Sequence, residues 1–344
     1  MRSIDSALLF LGGFFLSIGL LSFVGVEMFR RLAIRRRILD YPEERRLHIV
    51  PTPRGGGLAI VLLTLGTLLI LGWREDVDRR WLTLLTAGSW VAFLGWRDDL
   101  RSLPPARRLL GQSLAAGLTL AGLGSFDSIA VPLLGVWRLG QAGPWITFLW
   151  IVGWINSYNF MDGIDGMAAG VAVVAGLGWT LLAFGDPLPF WLALTIAASS
   201  LGFLLHNRPP ARIFLGDVGS TFLGYNFAIL PLLTSRYGSD APLCGAIILW
   251  AFLLDTTLTF LRRLTHGENL FTAHRSHLYQ RLVVAGTRPG LVSALFSLLT
   301  ALGVGLAWAW ANRVTAVAPF ITLGLPSLWA ALSAFAARQQ TSKG

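Results

Sequence analysis

The chain has 344 residues, 54% of them hydrophobic and only 13% charged, about half the charged share of a soluble globular domain. Water is therefore not its main solvent, and the single cysteine, Cys244, excludes an internal disulfide and any cysteine-based zinc site. The net charge of +10 invites a nucleic-acid reading, but no soluble basic domain with aromatic or groove-reading elements accompanies it, so nucleic acid is excluded as a partner.

In chain order, apolar windows of 16 to 22 residues predict spanning helices over 7–28, 56–73, 81–96, 109–125, 142–157, 166–184, 188–205, 219–235, 241–261, 290–310 and 315–336. The first window is not read as a secretory signal. No small-x-small cleavage site follows it, and it continues through Glu27, Met28, Phe29 and Arg30 into a basic segment. Between the fourth and fifth windows, residues 128–140 carry strand formers on either side of 132–135, which predicts a short extracytoplasmic hairpin.

Eleven spans put the termini on opposite sides of the membrane. One set of connections, 29–55, 97–108, 158–165, 206–218, 262–289 and the C-terminal tail, holds 21 of the 28 Lys and Arg residues. The positive-inside rule assigns that set and the C-terminus to the cytoplasm and the N-terminus to the outside. The expected fold is thus an all-α integral membrane protein, one polytopic domain over 1–344 with about eleven transmembrane helices.

Carboxylates beside apolar spans are costly and mark function by default. Asp98 and Asp99 follow one span, Asp162 and Asp165 lie in NSYNFMDGIDGM, and Asp217 lies in RIFLGDVGS. All five belong to the cytoplasmic set, as do the five histidines His48, His206, His266, His274 and His277. Glu75, Asp76 and Asp78, among arginines on the outer side, read instead as a solvated loop. Five acids at one membrane face repel one another unless a cation neutralises them. Oxygen-only ligands suit Mg²⁺, or Mn²⁺, better than zinc. For any single Asp the competing reading is a helix N-cap. Gly163 and Gly166 flank Asp165, and Gly216 and Gly219 flank Asp217, so the backbone there can approach a ligand closely. With Asn156, Asn159 and Asn207 nearby, these loops point to a ligand bearing phosphates and hydrogen-bonding edges. Arg275 and His277 add donors for a diphosphate.

These motifs resemble those of the polyprenyl-phosphate N-acetylhexosamine-1-phosphate transferases, a family that includes the phospho-N-acetylmuramoyl-pentapeptide transferases and the enzymes that initiate O-antigen and related glycans. The resemblance runs from Asp40 to about Gln280 through five motifs. They are DYPEERRLHIVPTPRGGG; Asp98-Asp99 with Arg107, Leu109 and Gln112; the Asn156 to Gly166 run; Asn207 to Ser220; and Asp255-Thr256 through Arg262, Arg263 and Gly267 to Arg275 and His277.

The resemblance implies a ten- or eleven-helix fold in the inner (plasma) membrane, a cytoplasmic cleft, a Mg²⁺ requirement, and transfer from a UDP-N-acetylamino sugar to undecaprenyl phosphate with UMP released. It implies Asp217 as the main metal ligand with Asp162 beside it, and Asp98 and Asp99 near the acceptor phosphate. Asp165 with Gly163 and Phe214 is implied for the uridine pocket, and His48, Asn156, Asn159, Asn207 and Arg212 for substrate binding. Attack by the lipid phosphate can be direct or pass through a covalent intermediate on Asp98. Membrane lipids are implied as surroundings, and a homodimer is compatible with the sequence. Two departures, Leu278-Tyr279-Gln280 in place of a histidine cluster and Ser102 in place of a lysine, lean toward the O-antigen-initiating branch. A transporter would place its binding groups near the midplane, often in related halves, and no repeat is visible. A CDP-alcohol phosphotransferase requires Ala-Arg two residues after its Asp-Gly, where this chain has Asp165-Gly166.

Overall fold

A computed structural model describes residues 2–41, 50–74, 78–234, 237–268 and 275–341; His48 lies outside them. The described residues are all-α apart from two small ribbons. Its helices are α1 (Arg2–Arg36), α2 (Leu58–Arg74), α3 (Arg79–Leu100), α4 (Pro105–Leu123), α5 (Gly143–Phe160), α6 (Met167–Leu182) and α7 (Pro187–Asn207). Then follow α8 (Asp217–Leu233), α9 (Asp240–Ile248), α10 (Trp250–Thr265), α11 (Leu278–Val284), α12 (Pro289–Ala311) and α13 (Leu325–Thr341).

The centre of the bundle is small-residue packing. Ala168, Ala169, Ala172 and Ala175 of α6 are fully buried, where α6 lies against α7 and α12. In lipid, which offers helices no hydrophobic drive to associate, small side chains that let backbones approach take over that work. α7 packs also on α1 and α2, and α8 on α3 and α5. The outer surface is apolar, with Leu8, Leu9, Phe10 and Leu16 of α1 and Leu110 and Leu114 of α4 exposed, the pattern of a face that meets lipid.

Among the described residues, Leu8–Arg36, Pro187–Asn207, Pro289–Ala311 and Thr315–Gln340 are long and apolar enough to cross a membrane, and α9 with α10 makes a fifth if the pair is one span. Each of the eleven sequence windows falls on helix, but several helices are short. α2, α6 and α8 have 17, 16 and 17 residues, and at ~1.5 Å per residue they fall short of a ~30 Å hydrocarbon core.

Two windows differ from expectation. The 241–261 window is not one helix: it breaks at Leu249, and the two halves meet at 82°. The break is held by α12, which lies so close that a Cβ on Gly303 would sit 2.2 Å from the Ile247 carbonyl oxygen, while Trp250 Nε1 donates to the Leu299 carbonyl at 2.8 Å. The 315–336 window opens with a 3₁₀ turn, Thr315–Val317, and a π-helical stretch, Phe320–Gly324. Pro326 follows, and its missing N–H removes one α-helical bond there.

The hairpin forms where it was expected. β3 (Ser128–Val131) pairs antiparallel with β4 (Gly135–Arg138), Val131 opposite Gly135, and Leu133 in the turn takes φ 69°. The other ribbon, β1 (Leu39–Asp40) with β2 (Thr52–Pro53), was not expected and matters for the site.

Candidate active site

The site is assembled by backbone pairing between segments far apart in sequence. Phe214 N–H donates to Pro53 O at 2.8 Å, Gly56 N–H to Phe214 O at 2.9 Å and Gly57 N–H to Leu215 O at 2.9 Å. This approach admits no side chain, since a Cβ on Gly57 would lie 2.3 Å from Gly219 Cα. The 161–166 loop is tied down from the other side. Asn207 accepts from Gly166 N–H at 2.9 Å and donates to Ile213 O at 2.9 Å, and Ala211 N–H donates to Asp165 Oδ2 at 2.8 Å.

Between these segments opens a cleft of about 390 Å³. Its charged lining is Asp40, Asp99, Asp162, Asp165 and Asp217 against Arg54. Burial pushes the Asp99, Asp162 and Asp217 carboxyls up from the ordinary range, and their neighbours' negative charges add to the shift. An electronegative cleft of this kind calls for a cation.

The residues fit Mg²⁺. No group of three acidic, His or Cys side chains stands ready to hold an ion among the described residues, but Mg²⁺ takes one or two carboxylates and completes its shell with water and substrate phosphates. Asp162 and Asp217 have that capacity to spare. Among the described residues no donor reaches the Asp162 carboxylate, and Asp217 accepts on one oxygen only, from Asn159 Nδ2 at 2.6 Å. Asn159 Nδ2 also donates to Ser220 Oγ at 2.8 Å, which fixes its amide.

Of the residues expected from sequence, Asp99, Asn159, Asp162, Gly163, Asp165, Asn207, Phe214 and Asp217 line the cleft. The other expected residues that the structure describes are not in its lining. Asp98 is turned to Leu103 N–H (2.7 Å) and Arg108 Nη1 (3.2 Å). Asn156 forms a two-way amide pair with Gln112, clasping α5 to α4. Arg212 faces Glu27 at 3.6 Å. Arg275 is exposed before α11. His277 is buried at the N-cap of α11, 3.7 Å from Asp255 Oδ1 and stacked on Tyr279. Asp99 departs differently: it lines the cleft, but its side chain is 1% exposed and its oxygens accept from Asp217 N–H and Val218 N–H, both at 3.0 Å.

Sequence reasoning missed Asp40, Arg54 and Gln280 as lining residues. The first two lie in the opening motif, 14 residues apart, but only the β1–β2 ribbon brings Asp40 Oδ1 within 3.7 Å of Arg54 Nη1. Gln280 sits three residues past His277, and its side-chain oxygen accepts from the His277 N–H at 3.3 Å, a capping-box contact that is visible only once α11 is seen to start there.

The fold and this cleft define a membrane protein with several candidate spans and an acid-lined site that has room for a cation. A model of glycosyl transferase family 4 matches residues 81–235. The chain is 35% identical over 267 residues to a probable undecaprenyl-phosphate N-acetylglucosaminyl 1-phosphate transferase of Bacillus subtilis, covering 75% of this chain and 73% of the relative. It is 29% identical over 303 residues to the decaprenyl-phosphate N-acetylglucosaminephosphotransferase of Mycobacterium tuberculosis (79% and 75% covered). It is 33% identical over 274 residues to a phospho-N-acetylmuramoyl-pentapeptide-transferase of Synechococcus sp. (75% and 79% covered). The chain belongs to glycosyl transferase family 4 and, within it, to the polyprenyl-phosphate sugar-1-phosphate transferases.

Proposed function

We propose that this enzyme transfers N-acetylglucosamine 1-phosphate from UDP-N-acetylglucosamine to a polyprenyl phosphate, as an early membrane step of cell-envelope or O-antigen glycan synthesis. The observation that carries the reading is the acid-lined cleft in which Asp162 has no donor among the described residues and Asp217 opens α8. The sugar follows the activities for which those relatives are named. The cleft faces the cytoplasm in an eleven-span topology, supported by the division of basic residues between the two sets of connections.

In this reading an oxygen of the lipid phosphate attacks the sugar-bearing phosphorus. The new P–O bond forms as the bond to the bridging oxygen breaks, and UMP leaves with that oxygen. The nucleophile is already anionic, so the protein's tasks are positioning and charge neutralisation. When bound, Mg²⁺ would supply charge neutralisation at the donor diphosphate. Asp217 and Asp162 would hold it, with Asn159 orienting Asp217. Asp165, Gly163 and Phe214 receive the uridine, and Asn207 keeps that pocket's two walls together. Asp98, its oxygens held by Leu103 and Arg108, stands at the acceptor side. Arg275 and His277 lie outside the cleft lining, and their assignment to the diphosphate rests on the family resemblance.

Purified protein in detergent, given polyprenyl phosphate, Mg²⁺ and a panel of UDP-N-acetylamino sugars, should release UMP with the N-acetylglucosamine donor and none with CDP-linked donors. Absence of UMP with every UDP-sugar would rule the reading out.

A further inference from the structure

We infer that Asp99 is a positioning residue: from the end of α3 it caps the N-terminus of α8 and thereby fixes the backbone that presents Asp217. This inference rests on the reading of Asp217 as the metal-holding carboxylate.

Helix N-termini leave N–H groups without intrahelical partners, and a side-chain oxygen at the N-cap normally takes one of them. α8 has no such residue of its own. Its N-cap is Gly216, which offers no side chain and takes φ 78°. Asp99 supplies the missing acceptor from another helix, one oxygen for Asp217 N–H and the other for Val218 N–H. A conventional cap is sterically excluded, because a Cβ on Gly216 would lie 2.6 Å from Asp99 Oδ2. The glycine and the aspartate are therefore two parts of one device.

The anchor is itself anchored. Arg54 donates to the carbonyls of Asp98 (2.9 Å) and Asp99, and its Nε lies 3.5 Å from Asp99 Oδ1. α3 and α8 touch just above, where a Cβ on Gly95 would sit 2.5 Å from Asp217 O. With 1% of its side chain exposed, Asp99 offers substrate almost no surface. Its influence on chemistry passes through Asp217.

Hydrogen–deuterium exchange over the first turn of α8, in full-length protein in lipid nanodiscs, reads the cap directly, and Mn²⁺ binding followed by electron paramagnetic resonance reads its consequence. Asp99→Ala should expose the Val218 amide to fast exchange and weaken Mn²⁺ binding by about 10- to 100-fold, the usual cost of losing a residue that orients a metal ligand. Asp99→Asn, which keeps one good acceptor, should fall between. Gly216→Ala leaves every carboxylate in place and should raise exchange in the same turn, so the inference stays testable even where Asp99→Ala does not fold. Asp217→Asn should lose Mn²⁺ and keep the turn protected. Unchanged exchange and Mn²⁺ affinity in Asp99→Asn and Gly216→Ala, beside a collapse of turnover in Asp99→Asn, would overturn the inference and make Asp99 a reacting group. Normal Mn²⁺ binding in Asp217→Asn would instead overturn the metal reading, leaving the exchange result to decide the cap on its own.

Discussion

The N-termini of α8 and α11 begin in the same way, on a buried aspartate borrowed from another helix. Asp255 of α10, with no exposed surface, accepts from Leu278 N–H at 2.8 Å, as Asp99 accepts from the first two amides of α8. The two differ in completeness. Both oxygens of Asp99 are engaged, whereas Asp255 Oδ2 is buried and has no hydrogen bond among the described residues. α8 is further locked by main-chain pairing, while α11, seven residues long, is seated by side chains: Tyr279 packs on Gly163, and Arg281 Nη2 donates to Ser333 O at 3.0 Å. The end carrying the proposed metal carboxylate is therefore fixed by backbone geometry, and the end carrying His277 by contacts that substitutions can tune.

Breaking the α8 end should have the largest effect. Asp217→Asn replaces a carboxylate with a poor Mg²⁺ ligand, and turnover should fall by ~10³-fold or more, measured as UMP release at saturating Mg²⁺. Retention of more than about a tenth of wild-type turnover, a loss of only ~1.4 kcal/mol, would show that Asp217 is not the principal ligand.

At the α11 end, His277→Ala should lower the turnover number by ~100-fold while changing the Michaelis constant for the UDP-sugar much less, provided His277 acts on charge developing in the transition state. Because His277 is buried outside the cleft lining, near-normal turnover in this variant would reduce it to a seat for α11.

Gly163→Ala sharpens the contrast with a smaller effect. A Cβ there would fall 1.9 Å from the Tyr279 hydroxyl, so α11 must shift; turnover should drop by ~10-fold, in line with the cost of a small misplacement near the chemistry. Mn²⁺ affinity should fall less than in Asp217→Asn, because Asp217 and α8 are untouched and only the neighbouring Asp162 is disturbed. A matching loss of Mn²⁺ affinity would show that the two ends are not separable.

The smallest expected effect is on pH-dependent stability. Asp99, Asp162 and Asp217 have raised folded-state values, about 7 for Asp99. The stability linked to their protonation is full below the ordinary carboxylate value of about 4 and is lost as pH rises through the folded value. Mg²⁺ competes with those protons. The gain in melting temperature on adding Mg²⁺, followed by tryptophan fluorescence, should therefore grow by a few degrees between about pH 5 and about pH 8. A gain independent of pH would separate these carboxylates from the ion.

Much of this was legible in the sequence. The apolar windows located the helices because a lipid-facing helix advertises itself in composition, and the costly aspartates named most of the cleft. Other features left no local signal. The bend at Leu249 has no Pro or Gly to announce it; it comes from the packing of α12. Two-residue strands such as β1 and β2 are too short for any periodicity, so the Asp40–Arg54 approach was invisible. Asp98 and Asp99 read as an equivalent pair, yet successive residues at a helix end point in different directions, and one turned to Arg108 while the other turned to α8. Asn156 shared a motif with Asn159, but three residues of helix carry it toward Gln112 and away from the cleft.

The main-chain stitching of β2 and the start of α2 to the 214–215 segment also has a consequence for biogenesis. Asp99 and the amide it accepts from at Asp217 are 118 residues apart in the chain, and Gly56 and Gly57 donate to partners just before α8. A chain still emerging from the ribosome therefore carries those polar groups, with five further helices to insert, before any of them can pair. The early helices must wait in the bilayer as a half-built scaffold, and the cleft is complete only late in synthesis. Loss of α8 by truncation would then remove more than one helix: it would leave the β2–α2 junction and the end of α3 with unpaired backbone and charge.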